Sequence, residues 1–211
     1  MKQHLRKYVK AGPFFVEVLA CIRYGWAKTD RAIVKRLDSN LRFVASLTKR
    51  LAAAGLIRPI AWELSGTHWV AVWGYGPGKT VPHPNGRALA KPRLGAEVLA
   101  FSMLWSELAH PTTSADLTEA SGYGRVTTNR ILRHARDLRM VRVGDWQTPA
   151  HGGAMAPMYV LGGKADEPKP APQSRSDMQR AYAARVAEKR RALRITTAIF
   201  GRAQQSAGTP A

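Results

Sequence analysis

One cysteine in 211 residues, Cys21, leaves the chain without an intramolecular disulfide and fits a reducing compartment. No uncharged apolar run reaches about eighteen residues, so no membrane-spanning helix is expected. The six histidines are scattered, and none pairs with another at a metal-ligand spacing. With one cysteine beside them no zinc site assembles from local motifs, and neither metal nor cofactor is expected. There is no G-x-S-x-G and no paired-carboxylate pattern, so nothing points to an enzyme. Negative charge is scarcest of all: 14 Asp and Glu face 33 Lys and Arg, a net charge of +19. A chain so short of acid is expected to meet a polyanion. Nucleic acid leads, with an anionic membrane surface as the rival.

Two stretches imitate other chemistry. A basic start, an apolar stretch and the ending "VLAC" loosely resemble a bacterial lipoprotein signal, but Glu17 interrupts the apolar stretch and Arg23 follows it. A basic arm over residues 1–12, with Lys2, Arg6, Lys7 and Lys10, leading into a buried helix is the expected alternative. "WGYGPGKT", residues 73–80, suggests a phosphate loop, yet its glycines miss the G-x-x-x-x-G-K-[ST] spacing. The prolines of "VPHPNG" then prevent the helix whose N-terminus would hold the phosphates. These glycines are expected to finish a hairpin.

What is present is a repeat. "FVASLTKRLAAAGLIRPIAW" from residue 43 returns in design as "TTNRILRHARDLRMVRVGDW" from residue 127, and "VEVLAC" from Val16 as "AEVLAF" from Ala96. "LIRPIAW" matches "MVRVGDW", and "AVWG" matches "YVLG". Each copy leaves through a proline-rich stretch, and the second holds four extra residues ahead of its third helix, where a loop would absorb them. Within the first copy, "PFFVEVLACIRYGW" reads as an apolar helix and "TDRAIVKRL" as a short one capped by Thr29 or Asp30. A turn at Asp38-Ser39-Asn40 follows. Val44, Leu47, Leu51 and Ala54 make the buried stripe of a third helix, with Gly55 suited to the position just past its end. Strands "IRPIAWEL" and "HWVAVWGY" join at Ser65-Gly66-Thr67, and Trp62, Trp69, Trp73 and Trp146 are expected to pack over a small core.

Three helices followed by a hairpin, with Val44-x-x-Leu47-x-x-x-Leu51-x-x-x-Gly55-Leu56-Ile57, resembles the winged helix-turn-helix superfamily, MarR-type regulators being nearest in pattern. The resemblance covers residues 14–75 well and 96–162 less well: Thr128, Ile131, Ala135 and Arg139 stand where Val44, Leu47, Leu51 and Gly55 do, so the second glycine stop is missing. In style the chain also resembles regulators carried by phages and other mobile elements of proteobacteria. The family likeness implies an α+β, mostly α, fold of two tandem winged helices followed by a C-terminal helix. It also implies a third helix that lies in the DNA major groove, with the hairpin, or wing, touching backbone or minor groove. The expected boundaries are 13–81 for the first domain, 82–95 for a linker, 96–163 for the second domain and 164–173 for a proline-rich linker. A basic amphipathic helix over 174–200 and a disordered tail over 201–211 complete the chain.

On the outward face of the first third helix the wheel places Arg42, Ala45, Ser46 and Lys49, with Arg50 on the flank. On the second it places Val126, Asn129, Arg130 and Arg133, with Arg125 and Thr127 at the start. Arginine suits guanine, asparagine adenine, serine either base type, and alanine the thymine methyl; a solvated helix face is the bland alternative for the first helix, and dimerisation or intramolecular packing for the second. Residues 1–94 carry 17 basic and 4 acidic side chains and residues 95–163 six of each, all six cations lying between Arg125 and Arg142. Arg58, His68, Lys79, Arg142, His151 and Lys164 are offered by the wings for phosphate contact, and His134 is expected to be a surface or phosphate-facing group and not a base catalyst. In the C-terminal helix Met178, Tyr182, Val186 and Leu193 form an apolar edge. A dimerising or docking role is preferred there over DNA clamping or membrane contact.

The expected function is sequence-specific binding of double-stranded DNA in the cytoplasm, at the nucleoid, as a transcriptional regulator and most simply a repressor. Replication initiation or partition of a mobile element, and inhibition of host machinery through protein contacts, remain the alternatives.

Overall fold

The computed structural model describes residues 11–87, 92–148 and 154–171, and within the C-terminal helix region residues 176, 179, 180, 182–184, 186–188 and 191, all helical. The expected arm residues Lys2, Arg6, Lys7 and Lys10, His151 and the tail lie outside the described residues. The fold is α+β. In chain order come α1 (Ala11–Arg23), α2 (Asp30–Leu37), α3 (Leu41–Ala53), β1 (Ile57–Ser65) and β2 (His68–Tyr75). Then follow α4 (Ala96–Glu107), β3 (Thr112–Thr113), α5 (Ser114–Ser121), α6 (Arg125–Asp137), β4 (Val141–Gln147) and β5 (Ala156–Leu161). The described residues up to Pro168 belong to one compact unit, and Lys169 begins a second.

Local chemistry sets the helix ends. Thr29 caps α2 by accepting the Ala32 N–H, and Asn40 caps α3 by accepting from Arg42 and Phe43. In the second repeat Thr113 and Asp116 form a reciprocal capping box at α5. Each repeat also contains two left-handed helix stops at matching places. After the second helix they are Asp38 (φ 48°) and Gly122 (φ 69°); after the third, Gly55 (φ 76°) and Arg139 (φ 53°). The stop missing from the second copy is therefore kept by the backbone. Leu56 N–H bonds to Leu51 O at 3.0 Å, and Met140 N–H to Ala135 O at 2.8 Å.

The hairpins repeat as closely. β1 and β2 pair antiparallel with a bulge between Pro59 and Ala61, and β4 and β5 with one between Val143 and Asp145, the same place in both copies. Trp73 N–H bonds to Lys28 O at 2.8 Å, and its counterpart Leu161 N–H to Leu108 O at 2.8 Å. Lys28 adjoins the capping Thr29, whereas four residues separate Leu108 from the capping Thr113. The insertion thus enters between the first and second helices, and part of it builds β3, which pairs with β5, in place of the expected loop.

Packing joins the repeats. α1 is buried on nearly every side and contacts α2, β2, α4 and α6, while α3 meets α4. Val16, Leu19, Leu51, Phe101, Leu104, Ile131 and Ala135 belong to one continuous core. A Cβ on Gly12 would fall 2.5 Å from Ile131 Cδ1, so glycine lets α1 and α6 approach. Asp30 is the polar node of the first repeat: Thr48 Oγ1 donates to its Oδ1 at 2.9 Å and the Trp73 indole N–H at 2.8 Å. Ser114, Leu132 and Leu161 occupy these places in the second repeat.

A Cβ at Gly55 or Gly122 would meet nothing within 4 Å, so substitution there reports backbone strain alone. Gly55→Ala and Gly122→Ala are each expected to lower unfolding free energy in urea by about 1–2 kcal/mol. Cys21 is buried in α1, and burial pushes its thiol above the ordinary range, outweighing the nearby Arg36. A thiol reagent at neutral pH should label it only as fast as α1 is released; fast labelling of the native chain would contradict this packing.

Candidate nucleic-acid interface

On α3 the buried face is Val44, Leu47, Thr48 and Leu51, with Ala54 only half-buried at its edge. Thr48 replaces Ala54 in the expected stripe because its hydroxyl is satisfied by Asp30 and by the Val44 carbonyl. Arg42, Ser46 and Lys49 are exposed on the opposite face, Ala45 and Arg50 half-buried. Arg50 leans toward the start of α4. It shares a cavity of about 350 Å³ with Phe15, Phe43, Ser46 and Glu97.

On α6 the buried residues are Thr128, Ile131, Leu132 and Ala135. Arg125, Val126, Asn129, Arg130 and Arg133 are exposed and Thr127 half-buried, with Val126 retaining 72% of its surface. The side chains of Arg42, Ser46, Lys49, Arg125, Asn129, Arg130 and Arg133 make no hydrogen bond or ion pair among the described residues. Each third helix therefore presents a strip of free donors around a small apolar spot, Ala45 on one and Val126 on the other.

His134 differs from expectation. It is half-buried between α6 and α1, its Nε2 3.2 Å from Glu17 Oε1, at ion-pair distance but without hydrogen-bond geometry. Position 134 is where Arg50 stands in the first repeat, and Glu17 corresponds to Glu97. Both flank positions thus point to the neighbouring repeat. The helical wheel could place them at an edge, but only the packing of α1 and α4 decides what that edge meets.

The cations of the hairpins are also partly committed elsewhere. Arg58 Nη1 donates to the carbonyls of Tyr75 at 2.8 Å, Gly76 at 2.6 Å and Pro77 at 3.0 Å, and its Nε to Lys79 O at 3.2 Å. The loop that imitates a phosphate site thus turns its oxygens toward a cation. Gly76 and Gly78, with φ of 73° and 148°, allow the backbone to wrap the guanidinium. The chain then returns along the hairpin: Val81 N–H bonds to Pro59 O, and the Trp62 indole N–H to Val81 O. The second repeat makes the same strap, with Glu167 N–H on Val143 O and the Trp146 indole N–H on Glu167 O. Trp73 alone of the four wing tryptophans is fully in the core. Trp62 and Trp146 are half-buried and hold the two straps, and Trp69 is exposed. Pro59 has no N–H at its bulge; Val143 has one, and Asp166 accepts it at 2.7 Å while also pairing with Arg136. His68, Lys79 and Lys164 remain exposed, and Arg142 is half-buried.

Arg58→Ala is expected to free the loop after β2 at a cost on the order of 2 kcal/mol in urea unfolding, since hydrogen bonds to a charged group are lost together. Asp166 is pushed up by partial burial, but the Val143 N–H, the Arg136 bond and the charges of Arg136 and Arg142 outweigh this and hold it below the ordinary carboxylate range. Its folded value is lowered, so its contribution is complete above the unfolded carboxylate value and is lost as pH falls through the lowered one. The Trp146 indole N–H resonance should move in that acid window, and in Asp166→Asn the movement should disappear.

Comparison with family models, with curated proteins and with solved structures gives no significant match for this chain.

Proposed function

We propose that the chain is a tandem winged-helix protein that recognises a specific double-stranded DNA sequence and acts as a transcriptional regulator, most simply a repressor that occupies a promoter. The observation that carries this reading is the pair of exposed, unpartnered strips on α3 and α6. A free arginine, asparagine or serine on a helix that can enter the major groove has the donors and acceptors to address base edges. Arg42 would address guanine, Asn129 adenine, and Arg130 or Arg133 guanine. Ala45 and Val126 are the apolar groups that suit a thymine methyl. The surplus of lysine and arginine supplies phosphate contacts that position without specifying.

Two readers in one protein bind more tightly than either alone when both engage together. Here the strips belong to a single compact unit with a shared core, so their mutual register is fixed by packing and not by the length of residues 82–95. A rigid pair of readers demands a fixed separation between its half-sites. The two strips differ in sequence, and the expected site is accordingly asymmetric.

Selection of bound duplexes from a random pool, at about 0.15 M salt, tests the reading. The wild type should yield a composite motif. Arg42→Ala with Lys49→Ala should erase one part of it, and Asn129→Ala with Arg130→Ala the other. Each pair should weaken binding tenfold or more, at about 1–3 kcal/mol per bidentate contact. Inserting five or ten base pairs between the two parts should abolish the joint gain in both cases, whereas readers on a flexible tether would recover it at ten. Retention without a motif, or no retention, would assign the charge to an architectural or protein-binding role.

A further inference from the structure

The duplication supplies an internal control, because the same groove occurs in both repeats with different chemistry. It lies between the C-terminal end of the third helix, the first hairpin strand and the returning chain. In the first repeat it is a cavity of about 520 Å³ walled by Lys49, Ala52, Ala53, Ile57 and Trp73 and bordered by Pro92 and Leu94. In the second it is a cavity of about 500 Å³ in which Arg133, Arg136, Asp137 and Val141 replace Lys49, Ala52, Ala53 and Ile57. Arg139 and Lys164 complete it, with Gly163, Ala165 and Asp166. The first groove holds two cations among apolar walls, Lys49 and the carbonyl-bound Arg58, and the second holds four, Arg133, Arg136, Arg139 and Lys164, beside Asp137 and Asp166.

Arg139 is the decisive residue. It holds a left-handed backbone, φ 53°, at the position where the sister repeat has Gly55. Such a conformation costs an L-residue free energy that glycine avoids, and strain of this kind is kept where a side chain is needed. The Arg139 carbonyl is fixed by the Tyr24 hydroxyl at 2.7 Å, and the helix end is closed by bonds from Arg139 N–H to Arg136 O and from Met140 N–H to Ala135 O. Arg136 is occupied by Asp166. Arg133, Arg139 and Lys164 have no carboxylate partner among the described residues, and Asp137 is the one other acid in the wall.

We propose that this basin binds a phosphate-bearing ligand, with Arg133, Arg139 and Lys164 as its anchors. Guanidinium forks match phosphate oxygens in pairs and lysine adds a point charge, while the volume accommodates more than one phosphate group. The phosphate belongs either to a small soluble compound or to a backbone position of a bound duplex. Arg133 also belongs to the exposed strip of α6, whereas Arg139 and Lys164 lie outside both strips.

Inorganic pyrophosphate is the probe, titrated into the full chain and followed by calorimetry and by thermal unfolding. Wild type should bind it and unfold a few degrees higher in its presence. Arg139→Gly should weaken binding at least tenfold while raising the unfolding temperature of the ligand-free chain, a combination that mere damage to the fold cannot produce. Lys35→Ala, which removes one exposed charge from α2, should bind pyrophosphate as the wild type does. Duplex titrations then identify the source. If the phosphate is part of DNA, pyrophosphate competes with duplex and Arg139→Gly reduces the salt slope of duplex binding by about one. If it is a soluble compound, duplex binding is indifferent to Arg139→Gly and pyrophosphate still binds. Equal pyrophosphate affinity in wild type and Arg139→Gly, or no pyrophosphate binding by wild type, would overturn the proposal.

Discussion

The burial of α1 decides the rest of the architecture. From Pro13 to Ile22 only Phe14 and Glu17 reach even partial exposure, so the helix has to be covered on every side. Within its own repeat α1 contacts α2 and β2. The second repeat supplies the remainder through α4 and α6, and Gly12 removes the side chain that would hold α6 away. Glu17, the charged exception, sits where His134 can meet it. α4 shows the contrast: it heads the second copy but leaves Leu99 and Met103 exposed, since nothing described closes over that side. Two similar units have thus become unequal, one contributing the centre and the other its cover.

The kinship of the copies is kept in the backbone more strictly than in the side chains. Bulges fall at the same place, helix stops take the same left-handed form, and an indole N–H fastens a returning strap in both. Side chains have moved apart around that frame. The first repeat ties its helices with a polar node at Asp30, Thr48 and Trp73, while the second fills the equivalent space with Leu132 and Leu161. Glycine and non-glycine stops are exchanged as well: Asp38 and Gly55 in one, Gly122 and Arg139 in the other. Backbone geometry is imposed by the sheet and helix ladders jointly, whereas any single contact can be replaced if its partners change with it.

Periodicity made the elements legible. The stripe at Val44, Leu47 and Leu51, Gly55 at the helix end, the cap at Thr29 and the doubled element order were all readable, because they depend on neighbours along the chain. What escaped depends on residues far apart. Thr48 looks like a surface threonine until Asp30 is brought to it, and Arg58 looks like a wing cation until the glycines at 76 and 78 fold carbonyls around it. His134 reads as a surface or phosphate-facing group because its own helix is basic; the carboxylate that faces it belongs to a helix far earlier in the chain. Similarity of the flanking helices reads the insertion as a loop, yet a two-residue strand needs β5 beside it before it exists. Among the eleven helix-face residues, Ala45, Arg50 and Thr127 are half-buried, because a wheel drawn for one helix cannot know its neighbour.

The position of α1 also bears on how the chain is made. It leaves the ribosome ahead of α6, which covers it and follows roughly a hundred residues later, a delay on the order of ten seconds at ordinary synthesis rates. Throughout that interval an apolar helix waits without its sheath. Few local contacts can compensate, and closing the core is a long-range event of the kind that slows folding. The growing chain therefore has reason to be held by a chaperone or by its own temporary collapse until the second repeat arrives.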